Sequence, residues 1–208
     1  MTQRRITVIP GDGIGPDIIE SAIQILDKAG CNFAYDFADA GLAALQTSSE
    51  LLPTATLDLI EKNKVALKGP LTTPVGAGFT SINVSLRKHF NLYANLRPVV
   101  SFKGTRSRYE NIDIITVREN TEGMYSGAGQ IIADDGSEAE AKSIITRAGA
   151  ERICVAAYEL AKSENRKKVT AIHKANILKT TSGLFLEVAR EVAQRYPEIE
   201  SEEMIVDA

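Results

Sequence analysis

Residues 6–16 read Ile6-Thr7-Val8-Ile9-Pro10-Gly11-Asp12-Gly13-Ile14-Gly15-Pro16. The apolar run over residues 6–9 is typical of a buried β-strand, and the glycines that follow indicate a tight turn. Pro16 suits the first turn of a helix, where a missing backbone N–H leaves no hydrogen bond unmade. This stretch therefore predicts a strand, a turn and a helix, the first part of a βαβ unit.

The same glycines invite comparison with a dinucleotide-binding fingerprint. Their spacing is G-x-G-x-G, whereas the fingerprint requires G-x-G-x-x-G, and no acidic residue closes a second strand at a matching distance. We therefore interpret Gly11 to Gly15 as a tight turn.

Strand-like and helix-like patterns alternate along the rest of the chain. An apolar stripe on a helix stops near Gly30, and a strand follows over residues 33–37. Further strands are predicted at residues 65–67, 112–117, 169–172 and 204–206, and further helices at residues 53–63 and around residues 153–160 and 184–192. The predicted fold class is α/β, with a doubly wound sheet.

The pattern changes between Gly127 and Arg147, where two short strand-like pieces flank the acidic stretch Ala133-Asp134-Asp135-Gly136-Ser137. Short strands around a glycine-containing turn indicate a β-hairpin. We expect this hairpin to be an arm that reaches a partner chain.

Composition excludes several classes of protein. With 25% charged residues but a net charge of -3, the chain is not expected to bind nucleic acid, which requires a clustered basic surface. No apolar run is long enough to cross a membrane, and the first strand begins without a signal peptide, so we expect a cytoplasmic protein, or alternatively a processed organellar one. Cys31 and Cys154 are predicted to be reduced apolar fillers, and His89 and His173 to be structural.

Several polar segments could contact a ligand. The loop Lys68 to Gly78 holds hydroxyls and a lysine between glycines and prolines, which suits ligand contact. Ser81 is a candidate helix N-cap, and Asn83 and Arg87 are spaced to share one face of that helix.

Arginines at the ends of predicted strands and helices suggest a site for several carboxylates, because a guanidinium can bind a carboxylate with two hydrogen bonds. They are Arg87, Arg97 and Arg118. Tyr125 and Lys174 lie near predicted strand ends and could act as acid and base, although spacing alone is more typical of a packing tyrosine and a surface lysine.

These segments, in this order, resemble the isocitrate and isopropylmalate dehydrogenase family, closest to NAD-type isocitrate dehydrogenases, along nearly the whole chain. By resemblance, Tyr125 and Lys174 match the catalytic pair, and Asp207 matches the first metal-binding aspartate. Thr73 and Asn83 match positions that also contact the cofactor. The positions matching the family's substrate contacts are Lys68, Thr73, Ser81, Asn83, Arg87, Arg97, Arg118 and Asn176.

The resemblance implies oxidative decarboxylation of a tricarboxylate, isocitrate, to 2-oxoglutarate with NAD and Mg²⁺ or Mn²⁺. The polar Ser81 and Asn83 favour isocitrate over isopropylmalate, because a buried polar pocket rejects an apolar substituent. Homoisocitrate and tartrate are alternative substrates. The family also implies a homodimer formed through the small domain and the hairpin, which would be an intersubunit clasp.

The resemblance covers only the amino-terminal part of the family. It implies part of a large domain at residues 1–99 and a small domain at residues 100–208, with the clasp at about 127–147. Residues beyond Asp207 that complete the metal and nucleotide sites are not in the sequence, so we expect the chain to be shortened and inactive by itself. A different reading is a noncatalytic or regulatory dimerisation subunit, but such subunits usually lose the tyrosine or lysine that Tyr125 and Lys174 match here.

Overall fold

The computed structural model describes residues 3–72 and 81–208. The chain divides into two compact units, Met1–Leu86 and Arg87–Ala208, and one helix, Ile82–His89, runs through the boundary. The predicted division near residue 99 into large and small domains stays a prediction. The strand that contains residue 99, Ala94–Val100, belongs to the second unit and pairs along its whole length with the next strand.

The first unit is built around a three-stranded parallel sheet. Its elements are β1 (Arg4–Ile9), α1 (Gly15–Lys28), β2 (Phe33–Phe37), a short 3-10 turn (Ala44–Gln46), α2 (Thr54–Asn63), β3 (Ala66–Lys68) and α3 (Ile82–His89). β1 lies in the centre and pairs with β2 on one side and β3 on the other. The predicted βαβ unit is confirmed, and Gly30 ends the first helix region with a positive φ of 82°.

The glycine turn after β1 is in direct backbone contact with the residues that follow β3. A Cβ on Gly69 would lie 2.0 Å from the Pro10 carbonyl oxygen, and a Cβ on Gly11 would lie 2.0 Å from that of Pro70. Two backbone hydrogen bonds join the segments, Gly69 N–H to Ile9 O at 2.8 Å and Asp12 N–H to Pro70 O at 2.8 Å. Glycine is therefore required at both positions by contact between backbones.

The carboxylate of Asp12 holds three segments together. It accepts hydrogen bonds from the backbone N–H groups of Leu42 at 3.2 Å, Ala43 at 3.0 Å and Thr72 at 2.6 Å. A carboxylate that accepts several backbone N–H groups satisfies donors that would otherwise lack a partner. Asp12 thus fixes the start of the loop that follows Lys68, a role that the sequence analysis did not assign to it.

The second unit contains both antiparallel and parallel strand pairs. Its further elements are β4 (Ala94–Val100), β5 (Asp113–Glu119), a 3-10 turn (Met124–Ser126), β6 (Ile131–Ile132), β7 (Ala139–Glu140), α4 (Arg147–Ser163), β8 (Lys168–His173), α5 (Thr181–Ala193) and β9 (Glu200–Ile205). β4 pairs with β5 antiparallel, and β8 pairs with β9 parallel. The strands and helices predicted here from periodicity are all present.

The core of the second unit lies between α4 and α5. Tyr158 and Tyr196 stack with ring centroids 5.0 Å apart, and the Tyr158 hydroxyl bonds to the Ser201 hydroxyl at 2.7 Å. Cys154 is buried in this core, and burial raises the pKa of its thiol to about 11. Cys154 and Cys31 are both free thiols, as predicted.

The predicted hairpin is confirmed as β6 and β7, which pair antiparallel around the turn at residues 133–138. Its apolar side chains face water, with Ile131 56% and Ile132 72% exposed. Within residues 3–72 and 81–208, no helix combines the length and apolar character that a membrane span needs.

Replacing Gly69 with alanine tests the close approach of the two backbones. We expect Gly69→Ala to lower the free energy of unfolding by about 1–3 kcal/mol, because the added methyl group would overlap the Pro10 carbonyl oxygen. Urea unfolding followed by circular dichroism measures this change. The control is Gly183→Ala, where a Cβ meets no neighbour and helix α5 should gain stability. A Gly69→Ala protein as stable as the wild type would contradict the interlocked arrangement.

A second substitution tests the hydrogen bonds to Asp12. Asp12→Asn keeps the shape of the side chain but turns one acceptor oxygen into a donor that faces backbone N–H groups. We expect a loss of about 1–3 kcal/mol in unfolding free energy. Asp17→Asn, in the exposed first turn of α1, is the matched control and should change stability far less. Equal effects of the two substitutions in thermal unfolding would show that the Asp12 contacts contribute little.

Candidate functional site

The parallel strands β8 and β9 place a lysine beside a carboxylate. His173 lies opposite Ile205 at the carboxyl ends of the two strands, and the Val206 N–H donates to the His173 carbonyl at 2.9 Å. The chain leaves the sheet at this point, and Lys174 forms an ion pair with Asp207. The carboxyl edge of parallel strands is where ligands gather in α/β proteins, so this pair is well placed for chemistry.

The Lys174 ammonium keeps Asp207 ionised. Its hydrogen bond lowers the pKa of the Asp207 carboxyl below the ordinary range, against a smaller effect of burial. A carboxylate of this kind is a hard oxygen donor, and Mg²⁺ is commonly held by one or two carboxylates together with oxygens of the substrate. Asp207 therefore fits such a cation in kind. In the described part of the chain, no three His, Cys, Asp or Glu side chains are grouped to hold a metal ion.

The pairing of β4 with β5 brings two of the predicted arginines to one face. Asn95 lies opposite Arg118, and Arg97 lies opposite Thr116. Since opposed residues share a face and side chains alternate along a strand, Arg97 and Arg118 are diagonal neighbours. No carboxylate among residues 3–72 and 81–208 forms an ion pair with either arginine. Their positive charges are available to an anionic ligand.

Arg118 also contacts the predicted acid. Its guanidinium carbon lies 4.7 Å from the centre of the Tyr125 ring. Tyr125 is in the 3-10 turn that follows β5, and its neighbours Gly123 and Gly127 both have positive φ, at 70° and 69°. Tyr125 is 45% exposed, so its ring contacts the arginine while a large part of the residue faces water.

A carboxylate fixes the backbone between Arg118 and Tyr125. Glu119 accepts hydrogen bonds from the Thr121 N–H, the Thr121 hydroxyl and the Glu122 N–H, and it pairs with Arg152 at 3.0 Å. Burial raises the pKa of Glu119, but these hydrogen bonds outweigh it and leave the pKa below the ordinary value. These contacts therefore hold the backbone in place where the turn that carries Tyr125 begins.

The next carboxylate anchors the far side of this turn. Glu122 accepts hydrogen bonds from the N–H and hydroxyl of Thr146, the residue that caps α4. Together, Glu119 and Glu122 fasten the segment before Tyr125 to the amino end of that helix.

The remaining predicted contacts lie on α3 and its flanks. Ser81 directly precedes α3, and its carbonyl accepts the Ser85 N–H at 3.0 Å, as expected at the start of a helix. Asn83 and Arg87 lie one turn apart on α3, and both are half-buried. Lys68, at the end of β3, donates to the Gly69 carbonyl at 2.7 Å. Thr73 lies outside the described residues.

In the second unit, most of the predicted site residues form two separate groups. One group is Arg97, Arg118 and Tyr125, and the other is Lys174 and Asp207, with Asn176 in the turn just beyond. No hydrogen bond or ion pair between described residues joins Tyr125 to Lys174. The sequence did not predict the supporting carboxylates Asp12, Glu119 and Glu122, which reach other segments through contacts with Thr72, Arg152 and Thr146 respectively.

Comparison with known proteins identifies the family of the chain. The family model described as isocitrate/isopropylmalate dehydrogenase matches residues 5–208. A probable mitochondrial NAD isocitrate dehydrogenase alpha subunit of Drosophila melanogaster is 43% identical over 204 residues, covering 98% of this chain and 54% of that protein. A chloroplastic 3-isopropylmalate dehydrogenase of Solanum tuberosum is 44% identical over 203 residues, covering 98% and 56%.

A solved structure gives the same result. The isocitrate dehydrogenase from Methylococcus capsulatus is 50% identical with a TM-score of 0.92, and the match covers 99% of this chain and 61% of that one. This likeness confirms the predicted α/β fold class. The chain spans about half the length of the curated relatives it matches. The extent of the family match and the level of identity together show that the chain belongs to the isocitrate/isopropylmalate dehydrogenase family, a family of oxidoreductases.

Proposed function

We propose that this chain is part of an enzyme that oxidatively decarboxylates isocitrate to 2-oxoglutarate with NAD and Mg²⁺ or Mn²⁺. The observation that carries the proposal is that Arg97 and Arg118 share one face of β4 and β5, have no carboxylate partner among the described residues, and lie beside the partly exposed Tyr125. Two fixed guanidinium groups suit a substrate with several carboxylates. A proton donor next to them suits chemistry on that substrate.

The residues of this chain would divide the work as follows. Arg97 and Arg118 bind carboxylates of the substrate and orient its hydroxyl-bearing carbon. Lys174, acting with a water or neighbouring group that first removes a proton from its ammonium, helps to take up the hydroxyl proton of the substrate, and Tyr125 delivers a proton to the carbon that loses carbon dioxide. When bound, NAD accepts the hydride, and a divalent cation held in part by Asp207 stabilises negative charge on oxygen.

The choice of isocitrate rests on α3. We assign the third carboxylate to Ser81, which directly precedes this helix, and to Asn83 in its first turn. An apolar substituent would leave the half-buried Asn83 without a hydrogen-bond partner. The relatives include isocitrate dehydrogenases and an isopropylmalate dehydrogenase at similar identity, so overall similarity does not decide between them. Homoisocitrate and tartrate are sister substrates of the same chemistry.

A homodimer is part of the proposal. The hairpin of β6 and β7 exposes Ile131 and Ile132, which suits burial against a second copy of the chain. Lys174 and Asp207 form a group separate from Tyr125, which fits a site completed across two subunits. The cytoplasmic location stays a prediction.

The second candidate is a noncatalytic subunit that contributes only to assembly. The same exposed hairpin would serve that role. The arrangement of Tyr125 on Arg118 and of Lys174 on Asp207 favours the catalytic proposal, because a purely structural subunit has no need of either pair.

The role of Tyr125 can be tested by removing its hydroxyl. The substitution is made in the complete enzyme of which this chain is part, called the assembled enzyme below. Tyr125→Phe keeps a ring for Arg118 to contact, so KM should change little, while kcat should fall by about 10²-fold or more. The rate is followed through the absorbance of reduced nicotinamide. Tyr109→Phe is the matched control, because Tyr109 is also exposed and also contacts an arginine, with Arg108 5.4 Å from its ring centre. An unchanged kcat in Tyr125→Phe would remove Tyr125 from the mechanism.

Substrate choice is tested by comparing isocitrate with 3-isopropylmalate. We expect kcat/KM for isocitrate to be higher by at least about 10²-fold, because the apolar substituent leaves polar groups unpaired. Asn83→Leu should lower kcat/KM for isocitrate and narrow this difference. A wild-type preference for 3-isopropylmalate, or an unchanged ratio in Asn83→Leu, would count against isocitrate as the substrate.

A further inference from the structure

We infer that His173 is a positioning residue that sets the orientation of Lys174. The imidazole Nδ1 of His173 accepts the backbone N–H of Ala175 at 3.1 Å. The hydrogen bond therefore bridges Lys174: the His173 side chain, before the lysine, holds the peptide group of Ala175, after it. The inference rests on the proposed function, in which Lys174 handles the hydroxyl proton of the substrate.

The backbone around Lys174 is fixed from three directions. On the strand side, the His173 carbonyl accepts the Val206 N–H at 2.9 Å, which joins β8 to the end of β9. On the other side, the Lys174 carbonyl accepts the Leu178 N–H at 2.9 Å. The imidazole bond to Ala175 closes the turn between these two anchors. Without it, the Ala175 N–H would have no hydrogen-bond acceptor among the residues that the structure describes.

The type of side chain at position 173 matters for this bond. An acceptor must reach the N–H two residues further along, as Asn and Asp side chains do in turns. Nδ1 lies one bond beyond Cγ, at the position of an Asn side-chain oxygen. Because Nδ1 accepts, the proton of the neutral ring is assigned to Nε2. Asn can therefore replace His in this contact, whereas Gln places its oxygen one bond too far.

The hydrogen bond from Ala175 to His173 affects the position of the Lys174 side chain. Four methylene groups carry the ammonium to Asp207, so a change in the direction of the Cα–Cβ bond displaces the ammonium by a larger distance. A displacement of about 1 Å in a catalytic group can lower a rate by about 10²-fold. Positioning Lys174 therefore requires the short hydrogen-bonded turn that His173 closes.

Three substitutions in the assembled enzyme test the inference. We expect His173→Ala to lower kcat roughly 10- to 100-fold with little change in KM. His173→Asn should recover most of the lost kcat, and His173→Gln should not. His89→Ala is the control, because His89 is exposed and only packs edge-on against Phe90 at 4.6 Å. A structural role alone would make the effect follow side-chain size, so that Gln would rescue at least as well as Asn.

A second readout does not depend on turnover. Amide hydrogen exchange of Ala175, measured by NMR, should be slowed in the wild type and in His173→Asn and faster in His173→Ala. Equal exchange rates in the three proteins would overturn the inference whatever the activity. Altered exchange with unchanged kcat would overturn the positioning role. A wild-type enzyme inactive on every hydroxy acid would instead overturn the proposed function, and with it the catalytic role of the turn, while the exchange data would still report the bond.

Discussion

The register between β8 and β9 is the constraint on which the chemistry of the second unit depends. The two strands pair from Lys168 opposite Glu200 to His173 opposite Ile205, and the lysine and aspartate that follow meet only in this register. A slip of one residue would turn every side chain of one strand to the other face. The ion pair between Lys174 and Asp207 is therefore a consequence of backbone pairing over the whole length of the strands.

Several contacts specify that register. Lys168 pairs with Glu200 and Glu202, the Thr170 hydroxyl donates to Glu202 at 2.9 Å, and Arg190 on α5 binds Glu203 through two hydrogen bonds. Each exposed ion pair adds little stability alone, since water screens it. The larger stabilisation comes from the apolar core between α4 and α5, and the polar contacts select which pairing that core supports.

Periodicity in the sequence predicted most of the helices and strands, because apolar spacing is a local property that burial preserves, but it did not predict β4. Family resemblance then supplied the roles of Tyr125 and Lys174, which spacing alone did not distinguish from packing and surface residues. The sequence could not predict that Asp12 binds backbone groups 30 and 60 residues away, or that Glu119 meets Arg152. These contacts depend on loops brought together by the fold, and no local pattern encodes them.

The distribution of charge explains how an acidic chain can offer a site for an anion. The net charge is -3, yet the carboxylates around the candidate site are occupied within the protein: Glu119 by Thr121 and Arg152, and Glu122 by Thr146. Arg97 and Arg118 have no carboxylate partner among the described residues. Carboxylates therefore hold the loops by binding backbone N–H groups and hydroxyls, and they leave the arginines uncompensated at one face of β4 and β5. A substrate with several carboxylates would neutralise the positive charges of these two arginines.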